Sequence, residues 1–243
     1  MKVTELYRYF NQSIPCELSE DWDNDGCMLL SSDKEVKNVL VALDITPEVT
    51  DVAINGGYDL IVTHHPFIFK PLKGITDPKF SALIKADISV FSFHTRFDTV
   101  DGGVNDTLAT ELGLKNILPF CEMGRVGDVD ETDFDSFVKR VKEALGCERV
   151  NYVKGSDKVK RVAVLDGGGK DFWSEAKSLA DVYITGEMSY NTMLDAHEAG
   201  FSVIEAGHFH TEFPCCEALC DMLLAADETL NVDIMKFYPV KTL

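Results

Sequence analysis

The stretch VKNVLVALDITPEVTDVAINGGYDLIVTHHP, residues 36–66, decides the fold. Its first part, residues 36–44, is apolar and β-branched, which is typical of a buried strand. Residues 46–55 predict a helix, because proline stands in the first turn and two glycines follow the last. A second strand over residues 59–63 leads directly to His64-His65. The stretch therefore predicts a strand–helix–strand unit that ends in two histidines.

The second half of the chain repeats this order. Residues 159–166 match the first strand, and a helix is predicted from about residue 171 to 179 before a strand over residues 181–185. From Asp44 to Thr63 is 19 positions, and from Asp166 to Thr185 is again 19. The same spacing in both halves indicates an internal duplication.

A further strand in each half ends in the same pattern of histidine and acid. Residues 88–91 lead to His94-x-x-x-Asp98, and residues 201–204 lead to His208-x-x-x-Glu212. Alternating strands and helices predict an α/β fold with parallel or mixed sheets. We therefore expect two similar α/β lobes from an internal duplication, with a metal site in the cleft between them.

The lobe boundaries follow from composition. We predict a first lobe over residues 1–124, which opens on a helix over about residues 2–11, and a second lobe over residues 125–215. The boundary lies in residues 119–130, whose composition predicts a connecting segment. Residues 216–243 form a C-terminal segment, predicted to return to the first lobe because residues 232–238 alternate as a strand does.

Five of the six histidines lie in three short segments, each of them after a strand-like run. Imidazole and carboxylate are the ligand types of Zn, Mn and Fe, and strand ends are where α/β proteins build their sites. The clustering therefore predicts a metal site with more than one ion.

The predicted metal ligands are His64, His65, Asp98, His208 and Glu212. Adjacent histidines cannot easily chelate one ion, but they can give one imidazole to each of two. Glu212 has the longer reach and two oxygens, so it is the predicted bridge, while Asp98 and His208 complete one ion each. Two divalent ions carry a charge of about +4 and the two carboxylates supply −2, which leaves room for water or hydroxide.

The sequence allows more than one role for several other residues. His94 can be a ligand, a buried structural histidine or a donor that orients Asp98, and we favour the last. The duplication selects His208 over His210 as ligand. His197 lies in a helical stretch and is predicted on the surface. The run Gly167-Gly168-Gly169-Lys170 can be a phosphate loop or a tight turn, but Asp171 stands where a P-loop has Ser or Thr.

Composition excludes several classes of protein. Of 243 residues, 45% are hydrophobic, and the formal net charge is −18. The only Lys/Arg cluster lies at residues 154–161, so nonspecific nucleic-acid binding is not expected. No apolar run approaches the roughly 18 residues of a membrane helix. The first residues lack the apolar segment of a signal peptide, and the seven cysteines show no disulfide spacing. We expect a cytoplasmic protein that does not bind membranes, with Cys215, Cys216 and Cys220 as small residues on a helix.

The motifs together resemble the NIF3-like family, also called DUF34 or "GTP cyclohydrolase 1 type 2 homologue", in its short form without an inserted domain. The resemblance covers about residues 20–215 and rests on these segments: Trp22-Asp23-Asn24-Asp25-Gly26, Leu43-Asp44-Ile45-Thr46-Pro47-Glu48-Val49, Thr63-His64-His65-Pro66, His94-x-x-x-Asp98, Tyr183-Ile184-Thr185-Gly186-Glu187 and Gly207-His208-x-x-Thr211-Glu212. It implies two α/β lobes, a dinuclear metal site with the five ligands named above, Glu212 bridging, and a ring-like homohexamer. Asp25 and His210 depart from the family pattern.

Two functions of different class follow. The first is a metal-dependent hydrolase of a nucleotide-like or phosphoester substrate, with two divalent ions (Zn, Mn or Fe) and with Glu212 and His94 as catalytic residues; the cyclohydrolase activity is implied by the resemblance alone. The alternative is a metal-stabilised scaffold or regulatory binding protein without catalysis. The open metal positions that five ligands leave on two ions favour the enzyme and a small-molecule substrate.

Overall fold

The computed structural model describes residues 1–241, in which helices and strands alternate along most of the chain. The helices are α1 Val3–Ser13, α2 Pro47–Gly56, α3 Pro78–Lys85, α4 Thr95–Thr99, α5 Val104–Glu111, α6 Phe134–Ala144, α7 Trp173–Ala176, α8 Tyr190–Glu198, α9 His208–Glu212 and α10 Cys215–Ala226, with a short 3-10 helix at Cys16–Leu18. The strands are β1 Gly26–Leu29, β2 Asn38–Ala42, β3 Leu60–Thr63, β4 Ser89–Ser92, β5 Lys115–Phe120, β6 Gly124–Asp133, β7 Asn151–Val153, β8 Lys158–Leu165, β9 Val182–Thr185, β10 Ser202–Glu205 and β11 Asn231–Met235. Every helix of this part of the chain is too short or too polar to cross a membrane.

The first compact unit comprises Met1–Val100 and Cys216–Tyr238. Its five-stranded sheet has the order β1-β4-β3-β2-β11, in which only β1 runs antiparallel to its neighbour. Helix α2 begins where predicted, because Thr46 caps it by accepting from Val49 N and Pro47 follows. It ends at Gly57, whose φ of 68° is the left-handed cap that glycine adopts at low cost. Residues 36–66 thus supply β2 and β3, which lie within the parallel part of this sheet.

The second compact unit comprises Asp101–Cys215 and the described residues after Tyr238. Its six-stranded sheet has the order β5-β6-β8-β9-β10-β7. The three strands β8, β9 and β10 are parallel, and the flanking strands are antiparallel. The predicted α/β class is therefore confirmed. The chain forms two mixed sheets, with helices between many of their strands.

The boundary between the units lies after Val100, whereas the sequence placed it at residue 124. Residues 119–130, predicted to be a connection, lie mostly within the antiparallel pair β5 and β6. Their pattern hides this, because β5 is largely exposed and carries Pro119, which edge strands tolerate. The predicted helix over residues 171–179 is also shorter, as α7 covers only Trp173–Ala176. The C-terminal segment contributes β11, which pairs in parallel with β2.

In both units, an aspartate binds two backbone amides just before the first two parallel strands begin to pair. In the first unit, Asp59 Oδ2 accepts hydrogen bonds from the backbone amides of Lys37 (2.9 Å) and Asn38 (3.0 Å). In the second unit, Asp181 Oδ2 accepts from the amides of residues 160 and 161, each at 2.8 Å. Each carboxylate satisfies two donors just ahead of the strand pairing.

The strand registers show that the two spacings of 19 residues do not mark equivalent positions. Ala42 pairs with Thr63, and Leu165 pairs with Thr185, so the intervals are 63 − 42 = 21 and 185 − 165 = 20 residues. The helices after β4 and β10 are also offset, because the cap of α4 is His94 whereas the cap of α9 is Gly207. By register, His208 therefore corresponds to the residue after His94.

Asp59 gives a prediction for stability in acid. Burial alone would raise the pKa of Asp59, but hydrogen bonds from Asn38 and Lys37 and the nearby Lys34 ammonium outweigh it and lower that pKa. A lowered folded pKa stabilises the protein above the unfolded value of about 3.9, and this is lost as the pH falls through the folded value. Urea unfolding at pH 7, 5 and 3 should therefore show Asp59→Asn destabilised most at neutral pH and least at pH 3. The exposed Asp51→Asn should match the parent throughout; equal loss at all pH values for Asp59→Asn would contradict the prediction.

Candidate metal centre

His64 and His65 lie immediately after β3 and turn their rings to within 5.1 Å of each other, measured between centroids. His64 is buried, and its Nδ1 lies 2.9 Å from the carbonyl oxygen of Phe93. Because a carbonyl only accepts, Nδ1 carries the proton and Nε2 carries the lone pair. His65 Nδ1 lies 2.7 Å from Asp44 Oδ1. Both imidazoles are held in the orientation that metal-binding histidines have.

His94 and Asp98 come from the next strand along the sheet. His94 follows β4 and caps α4, and Asp98 lies one turn further on, almost fully buried. Asp98 Oδ1 is 3.4 Å from His64 Nε2. His64, His65 and His94 each offer a ligand atom within 4.8 Å of the others. The first unit thus brings together its four predicted site residues, His64, His65, His94 and Asp98. His94 lies among the possible metal ligands, whereas the sequence favoured a role in orienting Asp98.

Asp23 holds His94 in place. Its Oδ1 is 2.9 Å from His94 Nδ1, and its Oδ2 accepts from Thr95 N (3.0 Å) and Thr95 Oγ1 (2.7 Å). Burial alone would raise the pKa of Asp23, but the hydrogen bonds from His94 and Thr95 outweigh it and lower that pKa to about 2. The group is a carboxylate at neutral pH and fixes the His94 tautomer.

Asp25, which departs from the family pattern, forms an ion pair with a buried arginine. Its Oδ2 lies 3.1 Å from Nε of Arg96, a fully buried residue whose Nη1 also donates to Asn11 Oδ1 (2.9 Å) and Ile14 O (3.1 Å). The charged network anchors α4, and thereby the segment between His94 and Asp98.

In the second unit, His208 and Glu212 lie four residues apart on α9, on one face of the helix. His208 Nε2 is 2.9 Å from Glu212 Oε1, and His208 Nδ1 is 3.1 Å from Glu187 Oε1. The Glu212 side chain is 5% exposed, so its carboxylate sits in an environment that favours a cation. The two predicted ligands of this unit are thus adjacent.

The glycine triplet is a tight turn that makes room for these ligands. A Cβ on Gly167, whose φ is +45°, would collide with Glu212 Oε1 and contact the His208 ring. The amides of Gly167 and Gly169 donate to Thr211 Oγ1 (3.2 Å) and Thr185 Oγ1 (3.0 Å). These two amides are therefore used within the fold rather than directed at a phosphate.

The remaining histidines and cysteines have the surroundings of structural or surface residues. His210 Nδ1 lies 3.3 Å from the carbonyl of Leu145, at the end of α6, and His197 is exposed on α8. Cys215 and Cys216 are fully buried at the start of α10.

The donor set fits divalent transition metals. It consists of imidazoles whose Nδ1 atoms are fixed by oxygen acceptors, together with the buried carboxylates of Asp98 and Glu212. Nitrogen and carboxylate donors of this kind suit Zn, Mn or Fe, and outer carboxylates that orient the rings are typical of such sites.

The quoted sequence motifs include Asp23, Asp44 and Glu187 but predict no role for them, whereas the structure shows that each of these acids orients a histidine. A usable signal existed for Asp44, because it follows β2 just as the histidine pair follows the adjacent parallel strand β3. The same signal existed for Glu187, because it follows β9 just as His208 follows the adjacent parallel strand β10, whereas Asp23 approaches His94 across 71 residues of sequence.

Known proteins are similar to this chain over most of its length. The chain is 36% identical over 230 residues to "GTP cyclohydrolase 1 type 2 homolog" of Clostridium perfringens, which covers 88% of each chain. It is 33% identical over 216 residues to "GTP cyclohydrolase 1 type 2" of Helicobacter pylori, with 86% of each chain covered. Among solved structures, hypothetical protein SA1388 of Staphylococcus aureus superposes with a TM-score of 0.93 at 27% identity, over 100% of this chain and 99% of that one.

A family model described as Duf34/NIF3 (NGG1p interacting factor 3) matches residues 1–241. The match extends the resemblance seen in the motifs to the full described length. The chain therefore belongs to the Duf34/NIF3 family.

Proposed function

We propose that this protein is a metal-dependent hydrolase that binds two divalent ions through His64, His65, Asp98, His208 and Glu212. One observation carries the proposal. In each unit, a histidine whose Nδ1 is held by an oxygen acceptor turns Nε2 towards a buried carboxylate, at 3.4 Å for His64 and Asp98 and at 2.9 Å for His208 and Glu212. Burying a carboxylate beside imidazole nitrogens is costly without a cation, and a divalent metal supplies one.

The proposed substrate is nucleotide-like or a phosphoester. Relatives carry the name GTP cyclohydrolase 1 type 2, which describes attack of water on a purine ring carbon. When bound, two divalent ions lower the pKa of water and stabilise developing negative charge. The chain's own part is to hold the imidazoles: Asp44 and Asp23 fix His65 and His94, and Glu187 fixes His208.

We further propose that the two units derive from an internal duplication. The shared support is the aspartate before β3 and β9, which in each unit binds the two amides just before the pairing with that strand begins. The interval from Ala42 to Thr63 is one residue longer than that from Leu165 to Thr185, so the proposal includes an insertion or deletion of one residue between these strands.

The test combines metal content with turnover. The purified protein, loaded with Mn, Fe, Zn or Co, should hold two ions per chain by elemental analysis and hydrolyse a member of a panel of nucleotides and phosphoesters. Glu212→Gln keeps the shape of the side chain but removes its charge. We expect it to lower the metal content below two ions and to abolish turnover, as a chelator should.

The matched control is Glu205→Gln, the same change at the end of β10, where the carboxylate accepts from Asn151. It should leave metal content and turnover at the parent level. Two bound ions without turnover on the whole panel would contradict the hydrolase and favour the metal-stabilised binding protein.

A further inference from the structure

Two exposed aromatic rings lie beside the histidines of the first unit. Trp22 is 60% exposed and Phe69 is 47% exposed, although both are large and apolar. Their ring centroids are 6.1 Å apart, at an angle of 62°. Single exposed apolar residues are ordinary, but a fixed pair of aromatic rings next to a donor cluster is a specific arrangement.

His94 joins this aromatic pair to the candidate metal ligands. Its ring lies 6.1 Å from Trp22 and 6.2 Å from Phe69 on one side. The rings of His64 and His65 lie 5.3 Å and 5.8 Å from it. A ligand in contact with Trp22 and Phe69 therefore lies beside His94 and close to His64 and His65.

The aromatic pair is held in position before any ligand arrives. Asn24 Nδ2, two residues after Trp22, donates to the carbonyl of Ile68, the residue before Phe69. Phe67 anchors the same segment, because its ring packs on Phe80 with centroids 4.3 Å apart and its amide donates to Ser92 Oγ (3.2 Å). Preorganised rings bind without the entropic cost of ordering a loop.

We propose that Trp22 and Phe69 bind the planar ring system of the substrate, a purine-type heterocycle, by stacking, and so determine its class. This rests on the proposed function, since it places the reacting ring next to the candidate metal ligands. Aromatic side chains stack on every nucleobase, because each base has a π-face. Their exposed faces suit a ligand that is flat and apolar on both sides but polar at its edges.

The test reads binding by fluorescence, so that it does not depend on turnover. The chain has two tryptophans, and Trp173→Phe leaves Trp22 as the only one. Titration of this protein with guanosine 5′-monophosphate should quench Trp22 in a saturable way, and ribose 5-phosphate should not. Phe69→Ala in the same background should weaken binding about 5- to 150-fold, the range of base–aromatic stacking, and Phe69→Tyr should restore it.

Leu72→Ala is the matched control, because it removes another exposed apolar side chain from the same segment. It should bind the nucleotide as the parent does, and all variants should keep the parent's metal content. Equal binding of the nucleotide by Phe69→Ala, equal quenching by ribose 5-phosphate, or no saturable quenching would overturn the stacking site. If the protein is not a hydrolase but the stacking site exists, turnover is absent and the nucleotide still quenches Trp22 fluorescence. If the protein is a hydrolase without the stacking site, metal-dependent turnover is present and saturable quenching is absent.

Discussion

Replacing Arg96 by methionine is expected to lower the free energy of unfolding by about 3–5 kcal/mol. Arg96 is 1% exposed, and its guanidinium pairs with Asp25 and donates to Asn11 and Ile14. Methionine can occupy the space over the Phe93 ring, which lies 4.8 Å from the Arg96 guanidinium carbon, but it leaves Asp25 buried without its counter-charge. Burial already raises the pKa of Asp25 while Arg96 lowers it, so the substitution should raise that pKa further.

Denaturant unfolding at pH 7 measures this loss. The comparison variant is Lys115→Met, which removes the cation of an exposed pair, with Lys115 Nζ 2.9 Å from Asp130 Oδ1. Exposed pairs contribute under about 1 kcal/mol, so this variant should unfold close to the parent. Similar losses for the two variants would show that burial of the Arg96 pair has no energetic consequence.

Replacing Gly186 by alanine is expected to cost about 2–3 kcal/mol of stability and to displace His208 and Glu212, the candidate metal ligands of the second unit. Gly186 is buried, and an added Cβ would lie 2.6 Å from Gly167 O, 2.7 Å from Thr211 Oγ1 and 2.8 Å from His208 Cα. Two of these three atoms belong to the backbone, so no side chain can simply rotate away. Relief requires a shift of α9, which carries His208.

Gly168→Ala supplies the control from the same turn region, because a Cβ there would meet nothing within 4 Å. It should leave the thermal midpoint and the metal content close to the parent's, while Gly186→Ala lowers both. If Gly186→Ala is as stable as Gly168→Ala, the close approach of α9 to Gly186 is relieved at no cost.

The parallel strands and their histidines could be predicted from the sequence because their signals are local. The run before Thr63 is apolar, as is typical of a strand buried on both faces, and the histidines follow Thr63 directly. The strand β5 gave no such signal, because an exposed edge strand has no buried face to impose a pattern. The family membership inferred from the motifs is confirmed, while the homohexamer stays a prediction that a mass measurement in solution tests.

The details of the site depended on contacts that no local pattern reports. Asp23 reaches His94 across 71 residues of sequence, and only the folded chain brings them together. The offset between His94 and His208 was hidden for a related reason, since equal spacing along the chain does not ensure equal register across a sheet. Pairing is set by hydrogen bonds between strands, and one residue changes which side chain points where.

The position of β11 has a consequence for synthesis of the protein. The first unit needs residues that the ribosome makes only after the sheet of the second unit, because β11 completes its sheet beside β2. The second unit is nearly continuous, so its sheet can form before Asn231 emerges. We therefore expect translation to leave one side of β2 unpaired until β11 has been made, and a chain stalled before residue 231 to expose a strand edge that other chains can join.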